Sequence, residues 1–320
     1  MIVSSPESVV VPTIGRFAPS PTGPLHFGSL VAAVGSYCLA RQSGGCWLMR
    51  IEDLDPPRVV PGAADAILRS LEAFGFEWDG PVLYQSTRSE FYAAALASLR
   101  QRGLVFDCGC SRQEILASAP HPGEEGPRYP GTCRNGLPPG RRPRAERLRV
   151  PDGIIGFDDG LFGCQEQHLA DTIGDFVLRR ADGLYSYQLA VVVDDFATGV
   201  NQVVRGADLL GSTVRQIYLH TCLDQPPPHY LHLPLVLAPD GEKMSKRHGA
   251  YDLDAGGVSA APLLRALRFL GQQLPAELEQ SAPRDILLAA VAGFNLQLVP
   301  RYVRPAVAGD HDAVIGKGSL

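Results

Sequence analysis

No stretch of this sequence is long and apolar enough to cross a bilayer. The longest apolar runs, such as Leu189 to Val193 and Leu231 to Ala238, are strand-length and interrupted, far short of the roughly twenty residues a spanning helix needs. The N-terminus does not read as a secretory leader, since Pro6 and Glu7 stand where a signal would carry basic residues, so a cytoplasmic location is expected. Nor is positive charge in excess. A net charge of −5 excludes a protein that coats nucleic acid by bulk electrostatics and confines any RNA contact to local basic patches. There is no internal repeat. The cysteines number seven, an odd count that argues against a disulfide framework and makes the clustered ones candidate metal ligands. Cys38, Cys46, Cys164 and Cys222 are isolated and are expected as buried small hydrophobes.

What is present suffices for a large core. A chain of 320 residues with 45% apolar content can bury one core, or a core plus an inserted subdomain. Val9 to Phe17 reads as a strand, Ser29 to Arg41 as a helix and Cys46 to Ile51 as a second strand. Apolar residues at three- and four-residue spacing then predict helices over Gly62 to Phe74, after Pro61, and over Ser89 to Arg102. Such alternation predicts a parallel α/β sheet. From Asp107 to Arg149 proline, glycine and arginine replace the periodic apolar residues, the mark of an insertion or long functional loop. Strand-like runs resume at Phe176 to Leu178, Tyr187 to Val193, Gln202 to Val204 and Tyr230 to Leu237, with a helix over Asp208 to Leu223. Further helical pieces follow at Ala261 to Leu270 and Arg284 to Phe294.

Two segments carry nucleotide chemistry. Gly15 to Ser29, GRFAPSPTGPLHFGS, runs a strand through prolines and a glycine into His-x-Gly at a helix start. A helix N-terminus offers unpaired N–H groups and a positive dipole end; His26 can donate to a phosphoryl oxygen, and Gly28 lets a base or ribose approach the backbone. Far downstream, Lys243 to Arg247 reads KMSKR between an Asp240-Gly241 turn and Gly249. Two lysines on a glycine-flanked loop suit the spread charge of a pyrophosphate leaving group. Alone, the first segment reads more readily as a helix cap with a core histidine, and the second as a solvated basic loop.

A third group lies in the insertion. Cys108, Cys110 and Cys133 supply three thiolates, and tetrahedral zinc takes four donors. Tyr129 and His121 are both at hand as the fourth. Beyond them Arg134, Arg141, Arg142, Arg144, Arg147 and Arg149 read either as a solvated loop or as a face for an RNA backbone.

Together the first two segments resemble the paired HIGH and KMSKS motifs of class I aminoacyl-tRNA synthetases. RFAPSPTG ahead of His-x-Gly, and RIEDLD at Arg50 to Asp55, are similar to the glutamyl branch. The resemblance implies a Rossmann-like α/β catalytic domain over residues 1–104 and 185–240. A zinc-bearing, acceptor-binding-like insertion would occupy 105–184, and the KMSKS-type loop with a small helical domain 241–320. It also implies that ATP with Mg2+ activates L-glutamate to glutamyl-adenylate. His26, Gly28, Lys243, Ser245 and Lys246 would serve catalysis, with His26, Gly28 and Lys246 on ATP. Arg16, Phe17, Ala18, Pro19, Ser20, Glu52, Tyr187 and Arg205 would hold glutamate, Glu52 facing its ammonium. Tyr187 lies in YSYQLAVVVDD and Arg205 in VVRGADLL; Tyr185 is the neighbouring alternative to Tyr187.

C-x-C followed by Y-x-x-x-C resembles the zinc site of the short paralogues, the glutamyl-queuosine tRNA(Asp) synthetases. That resemblance implies one structural Zn2+ on Cys108, Cys110, Tyr129 and Cys133, with Tyr129 ahead of His121. After KMSKR only about seventy residues remain, too few for two anticodon-reading domains, so the expected acceptor is the queuosine base of tRNA(Asp), and a monomer is expected. Two rivals are a truncated glutamyl-tRNA(Glu) synthetase and a non-catalytic zinc-bearing RNA-binding module. The retained His26, Glu52, Arg205 and Lys246 speak against the second.

Overall fold

A computed structural model of the chain describes residues 12–118, 126–237, 259–301 and 304–305. The first strand β1 (Ile14–Phe17) pairs in parallel with β2 (Cys46–Ile51), and β2 with the short β3 (Leu83–Tyr84). Helix α1 (Phe27–Gln42) connects the first two; α2 (Ala63–Ala73) and α3 (Ser89–Gln101) flank β3 in sequence. After an antiparallel excursion, α6 (Tyr187–Ala197) leads to β9 (Gln202–Gly206), α7 (Leu210–Cys222) and β10 (His229–Leu233), with β9 and β10 again parallel. Asn201 joins the two groups of strands, accepting from Ile14 N–H at 2.8 Å and donating its own N–H to the Ile14 carbonyl at 3.1 Å. The expected parallel α/β architecture is therefore the one observed.

Burial on two sides explains the composition of α1. Its mostly apolar residues pack against Trp47 and Met49 of β2, and against α8 (Ala261–Phe269) and α9 (Pro283–Gly293) on the other side. Trp47 sits at the centre, 5.0 Å from Tyr37 edge-on and stacked on Phe76 at 5.6 Å and Phe17 at 6.0 Å. Each such pair adds about 0.5–1.5 kcal/mol beyond area burial. The indole N–H donates to Ser36 Oγ, so its polar atom is satisfied in the core.

The excursion between α3 and α6 is more ordered than its composition predicts. Strand β4 (Val105–Cys108), helix α4 (Arg112–Ser118) and strands β5 (Ala145–Leu148) and β8 (Phe176–Arg179) frame it, β5 lying antiparallel between β4 and β8. A hairpin of β6 (Ile154–Asp159) and β7 (Gly163–His168), followed by the one-turn α5 (Leu169–Thr172), completes it. Beyond β10, β11 (Val236–Leu237) pairs in parallel with β12 (Arg304–Pro305).

Two expectations are overturned. Tyr187 to Val193 is helical, because Leu189 to Val193 is buried on all sides between α3, α7 and the antiparallel strands, and a helix buried all round shows no amphipathic period. Ser186 caps it, its hydroxyl accepting from Leu189 N–H. Among the isolated cysteines, Cys38 and Cys222 are buried as expected, but Cys46 and Cys164 are exposed at the starts of β2 and β7.

Burial makes one histidine acid-sensitive. His220, on the last turn of α7, is 1% exposed, and burial pushes its pKa down to about 4 despite the Asp195 carboxylate. Between that value and the unfolded one only the unfolded chain takes the proton, so stability falls as pH drops below about 6.5 and levels off near 4. Urea unfolding should show a loss of roughly 2 kcal/mol from this residue between pH 7 and pH 5, and His220→Leu should flatten the slope by that amount. An equally steep slope in the variant would count against it.

Candidate active site

A cleft of about 540 Å³ opens where the carboxyl ends of β1 and β9 meet the start of α1. Every described residue expected to bind glutamate or ATP lines it: Arg16, Phe17, Ala18, Pro19 and Ser20 after β1, His26 and Gly28 at α1, Glu52 after β2, Tyr187 at the start of α6 and Arg205 on β9. Phe17 contributes least by its side chain, since its ring is stacked on Trp47 in the core. Tyr185 goes elsewhere, packing edge-on against Tyr92. Lys243, Ser245 and Lys246 lie outside the described residues, as does His121; the preceding strand β11 borders the cleft through Val236.

At the α1 end, His26 stands just ahead of the helix with Nδ1 accepting from Ser29 N–H at 3.3 Å and Nε2 2.9 Å from Ser29 Oγ. An accepting Nδ1 means a neutral ring with its hydrogen on Nε2, facing the Ser29 hydroxyl; an anionic oxygen beside the helix N-terminus would take that hydrogen over from Ser29. A Cβ on Gly28 would press on this ring at 3.2 Å, so glycine leaves the imidazole its place.

The opposite end is built on buried ions. Asp195 Oδ1 accepts from Arg16 Nε at 3.2 Å and from Arg50 Nη1 at 2.5 Å, and Arg50 Nη2 donates to Glu52 at 3.2 Å. Burial opposes the Asp195 charge, but Arg16 and Arg50 outweigh it and hold the carboxyl below its usual range. Glu52 is pushed the other way: burial raises it in spite of Arg50 and Arg16, leaving a carboxylate that an ammonium would stabilise. Arg205 donates to Tyr187, Thr213 and the His232 ring. Arg16, Arg58 and Arg205 line the cleft with the carboxylates Glu52 and Asp208; Arg16 is already paired with Asp195 and Arg58 with Asp55, whereas Arg205 is held by the neutral Tyr187, Thr213 and His232.

Sequence reasoning passed over Arg50, Asp195, Thr213 and His232, which orient the lining residues from behind. Alternation on β2 was the available signal for Arg50, two residues before Glu52 and so on the same face; nothing local pairs Asp195 with it.

In the insertion, the Sγ atoms of Cys108, Cys110 and Cys133 lie within 4.8 Å of one another, with Cys110 and Cys133 3.7 Å apart. Sulfurs about 2.3 Å from a tetrahedral zinc would stand about 3.8 Å apart, whereas a disulfide needs about 2.05 Å. The Tyr129 hydroxyl is 3.5 Å from Cys108 Sγ and accepts the Cys133 N–H at 2.8 Å. Gly109 N–H points at Cys133 Sγ at 3.4 Å. Among the described residues, the three thiols form a group that could hold a metal ion, and the Tyr129 hydroxyl lies beside Cys108. Gly174, at φ +71°, lets this backbone close up, since a Cβ there would stand 2.4 Å from the Tyr129 carbonyl. The nearby arginines divide. Arg134 pairs with Asp175, Arg147 and Arg149 lie over the Tyr129 and Phe106 rings, and Arg141 bonds Glu114. Arg142 and Arg144 are exposed, make no ion pair among the described residues, and line an open hollow beside Gly109.

Residues 12–286 match the family model for tRNA synthetases class I (E and Q), catalytic domain. The chain is 60% identical to the glutamyl-Q tRNA(Asp) synthetase of Dechloromonas aromatica over 91% of its own length and 96% of the relative's. For the glutamyl-Q tRNA(Asp) synthetase of Geobacter sulfurreducens the identity is 54%, over 94% and 98%. Among solved structures, a glutamate tRNA ligase from Elizabethkingia meningosepticum in complex with its amino acid superposes with a TM-score of 0.76 at 26% identity, covering 93% of this chain and 68% of that one. With the cleft at the carboxyl ends of parallel strands and the family match spanning it, the chain belongs to the class I tRNA synthetases of the glutamyl and glutaminyl type.

Proposed function

We propose that this protein activates L-glutamate with ATP and transfers the glutamyl group to the queuosine base of tRNA(Asp). The observation that carries the glutamate half is the pairing of Arg16, Glu52, Tyr187 and Arg205 at one end of a cleft whose other end is the His26-capped helix. The glutamate α-carboxylate attacks the α-phosphorus of ATP in line, the bond to the β-phosphate oxygen breaks, and pyrophosphate leaves a bound glutamyl-adenylate. A hydroxyl of the queuosine base then attacks the acyl carbon and AMP departs.

In this reading Glu52 takes the ammonium, while Arg205 and Arg16 take carboxylate charge. His26 donates from Nε2 to a phosphoryl oxygen, and Lys243, Ser245 and Lys246 gather charge on the pyrophosphate. Mg2+, arriving with ATP, would neutralise part of that charge. Cys108, Cys110, Cys133 and Tyr129 would hold one zinc ion, which would tie the loop around Tyr129 to β4. The queuosine acceptor is favoured over the tRNA(Glu) 3′ end by 60% identity to a glutamyl-Q relative across 96% of its length, against 26% to the glutamate tRNA ligase.

Glutamate-dependent exchange of pyrophosphate into ATP should fall by about 100-fold or more in His26→Ala and in Lys246→Ala, with unchanged thermal melting. Glutamate should load onto queuosine-containing tRNA(Asp) and not onto tRNA(Glu), the product surviving removal of the 3′ end. Charging of tRNA(Glu) instead would replace this acceptor by the conventional one.

Metal analysis should find one zinc ion per chain, lost in Cys110→Ser together with several degrees of thermal stability. Reduced, intact protein free of zinc would rule the site out. If Arg142 and Arg144 meet the RNA backbone, replacing both with alanine should lower the salt dependence of tRNA binding by about two phosphate contacts. The exchange reaction, which needs no RNA contact there, should not change.

A further inference from the structure

Arg205 has five N–H groups and the protein itself occupies most of them. Nε donates to His232 Nε2 at 3.1 Å, Nη2 to Thr213 Oγ1 at 2.8 Å and to the Leu209 carbonyl at 3.4 Å, and Nη1 to the Tyr187 hydroxyl at 3.4 Å. One hydrogen on Nη1 is left for a ligand in the cleft. The guanidinium is thus delivered in one orientation, and its Nε edge is fixed by a histidine.

That histidine can accept only if Nε2 carries its lone pair, which requires a neutral ring with the hydrogen on Nδ1. Asp159 sets this tautomer, its Oδ2 lying 2.6 Å from His232 Nδ1 and also accepting the His232 backbone N–H at 3.1 Å. Both side chains are fully buried, so no water competes. The charged groups around the ring are Asp159 from β6, Arg205 from β9 and Asp208 from the turn before α7, and Tyr230 of its own strand stacks on it at 6.3 Å. Burial, aided by Arg205, keeps the imidazole neutral against the pull of the two aspartates.

Asp159 belongs to the antiparallel insertion, where its other oxygen accepts the N–H groups of Leu161 at 3.0 Å and Phe162 at 2.9 Å and so shapes the β6–β7 turn. Gly160 N–H donates to the Tyr230 carbonyl, and Leu161 enters the main core. One carboxylate therefore joins the tip of the insertion hairpin to the rear of the candidate amino-acid pocket.

We infer that Asp159 and His232 are positioning residues for amino-acid recognition, holding Arg205 so that its uncommitted Nη1 hydrogen meets a glutamate carboxylate. The inference rests on reading Arg205 as the partner of glutamate. Removing the acceptor lets the guanidinium turn, which weakens glutamate and leaves ATP alone. Asp159→Asn acts through the same route: every group facing the carboxylate is a donor, so an amide N–H2 must face one of them and disfavours hydrogen on Nδ1.

The test is pyrophosphate exchange with glutamate and ATP varied separately, on Arg205→Ala, His232→Leu, His232→Gln, Asp159→Asn and the double variant Arg205→Ala/His232→Leu. Expected are a rise in glutamate KM of about 10-fold or more for His232→Leu, with ATP KM within about two-fold. His232→Gln, which keeps an acceptor near the Nε2 position, should recover most of the loss. His232→Leu should add nothing in the Arg205→Ala background. If Arg205→Ala leaves glutamate KM unchanged, the pocket assignment itself fails. If Arg205→Ala raises it but His232→Leu does not, or the two effects simply add, the positioning role is overturned. Should His232→Leu not fold, Asp159→Asn and His232→Gln carry the comparison: a rise in glutamate KM for the former alone supports the role, and no rise in either removes it.

Discussion

Two adjacent carboxylates at the end of α6 hold the catalytic half of the molecule in register. Neighbouring side chains on a helix diverge by about 100°, and here each meets a different set of partners. Asp195 reaches Arg16 on β1 and Arg50 on β2; Asp194 accepts from Arg88, Gln85 and Tyr92 around the start of α3. Both are buried. An unpaired charge at such depth costs several kcal/mol, and breaking one partner away typically costs about 3–5 kcal/mol. The strands cannot shift against α6 without that cost, and this turns a set of packed elements into a fixed constellation.

The consequence reaches the cleft through arginine. Arg50 is shared between Asp195 and Glu52, so the acid proposed to meet the substrate ammonium is oriented by a buried group behind the cleft lining. Tyr187 begins the helix that carries Asp195 near its other end, so one element places both the phenol and the ion pair. The strand expected over Tyr187 to Val193 loses that relation, because it stops short of Asp194 and Asp195, which the helix carries on from Tyr187.

Much of the pocket was legible because its residues cluster in short stretches: Arg16 to Ser20 leaves β1 directly into the cleft, and His26 with Gly28 opens α1. The supporting shell was not, since Asp159, Asp195 and His232 act across separations of 73 and 179 residues to their partners. A sequence read locally carries no trace of such pairings. The arginines of the insertion show the same limit. Arg134 and Arg147 look like solvated charge in a stretch rich in proline and glycine, yet they tie the Cys133 and Tyr129 region to Asp175 on the neighbouring strand's edge. The apolar poverty of the stretch is offset by Phe106, Ile115, Tyr129 and the thiols, which together make a small core of their own.

Discrimination at the proposed glutamate site follows from the same electrostatics. Among the arginines that line the cleft, Arg16 is paired with Asp195 and Arg58 with Asp55, while Arg205 is held by the neutral Tyr187, Thr213 and His232. A glutamate carboxylate would meet the Arg205 charge; the neutral amide of glutamine would not. In a partly buried site a charged hydrogen bond contributes roughly 1.5–3 kcal/mol where a neutral one contributes about 1, enough for a preference but not for a wide margin. The remaining selectivity has to come from geometry: an Arg205 guanidinium held on most of its donors accepts one direction of approach, and an amide that offers its N–H2 to that last hydrogen is rejected. A rigid rear shell is thus the condition for selectivity, and that shell extends through His232 and Asp159 into the insertion.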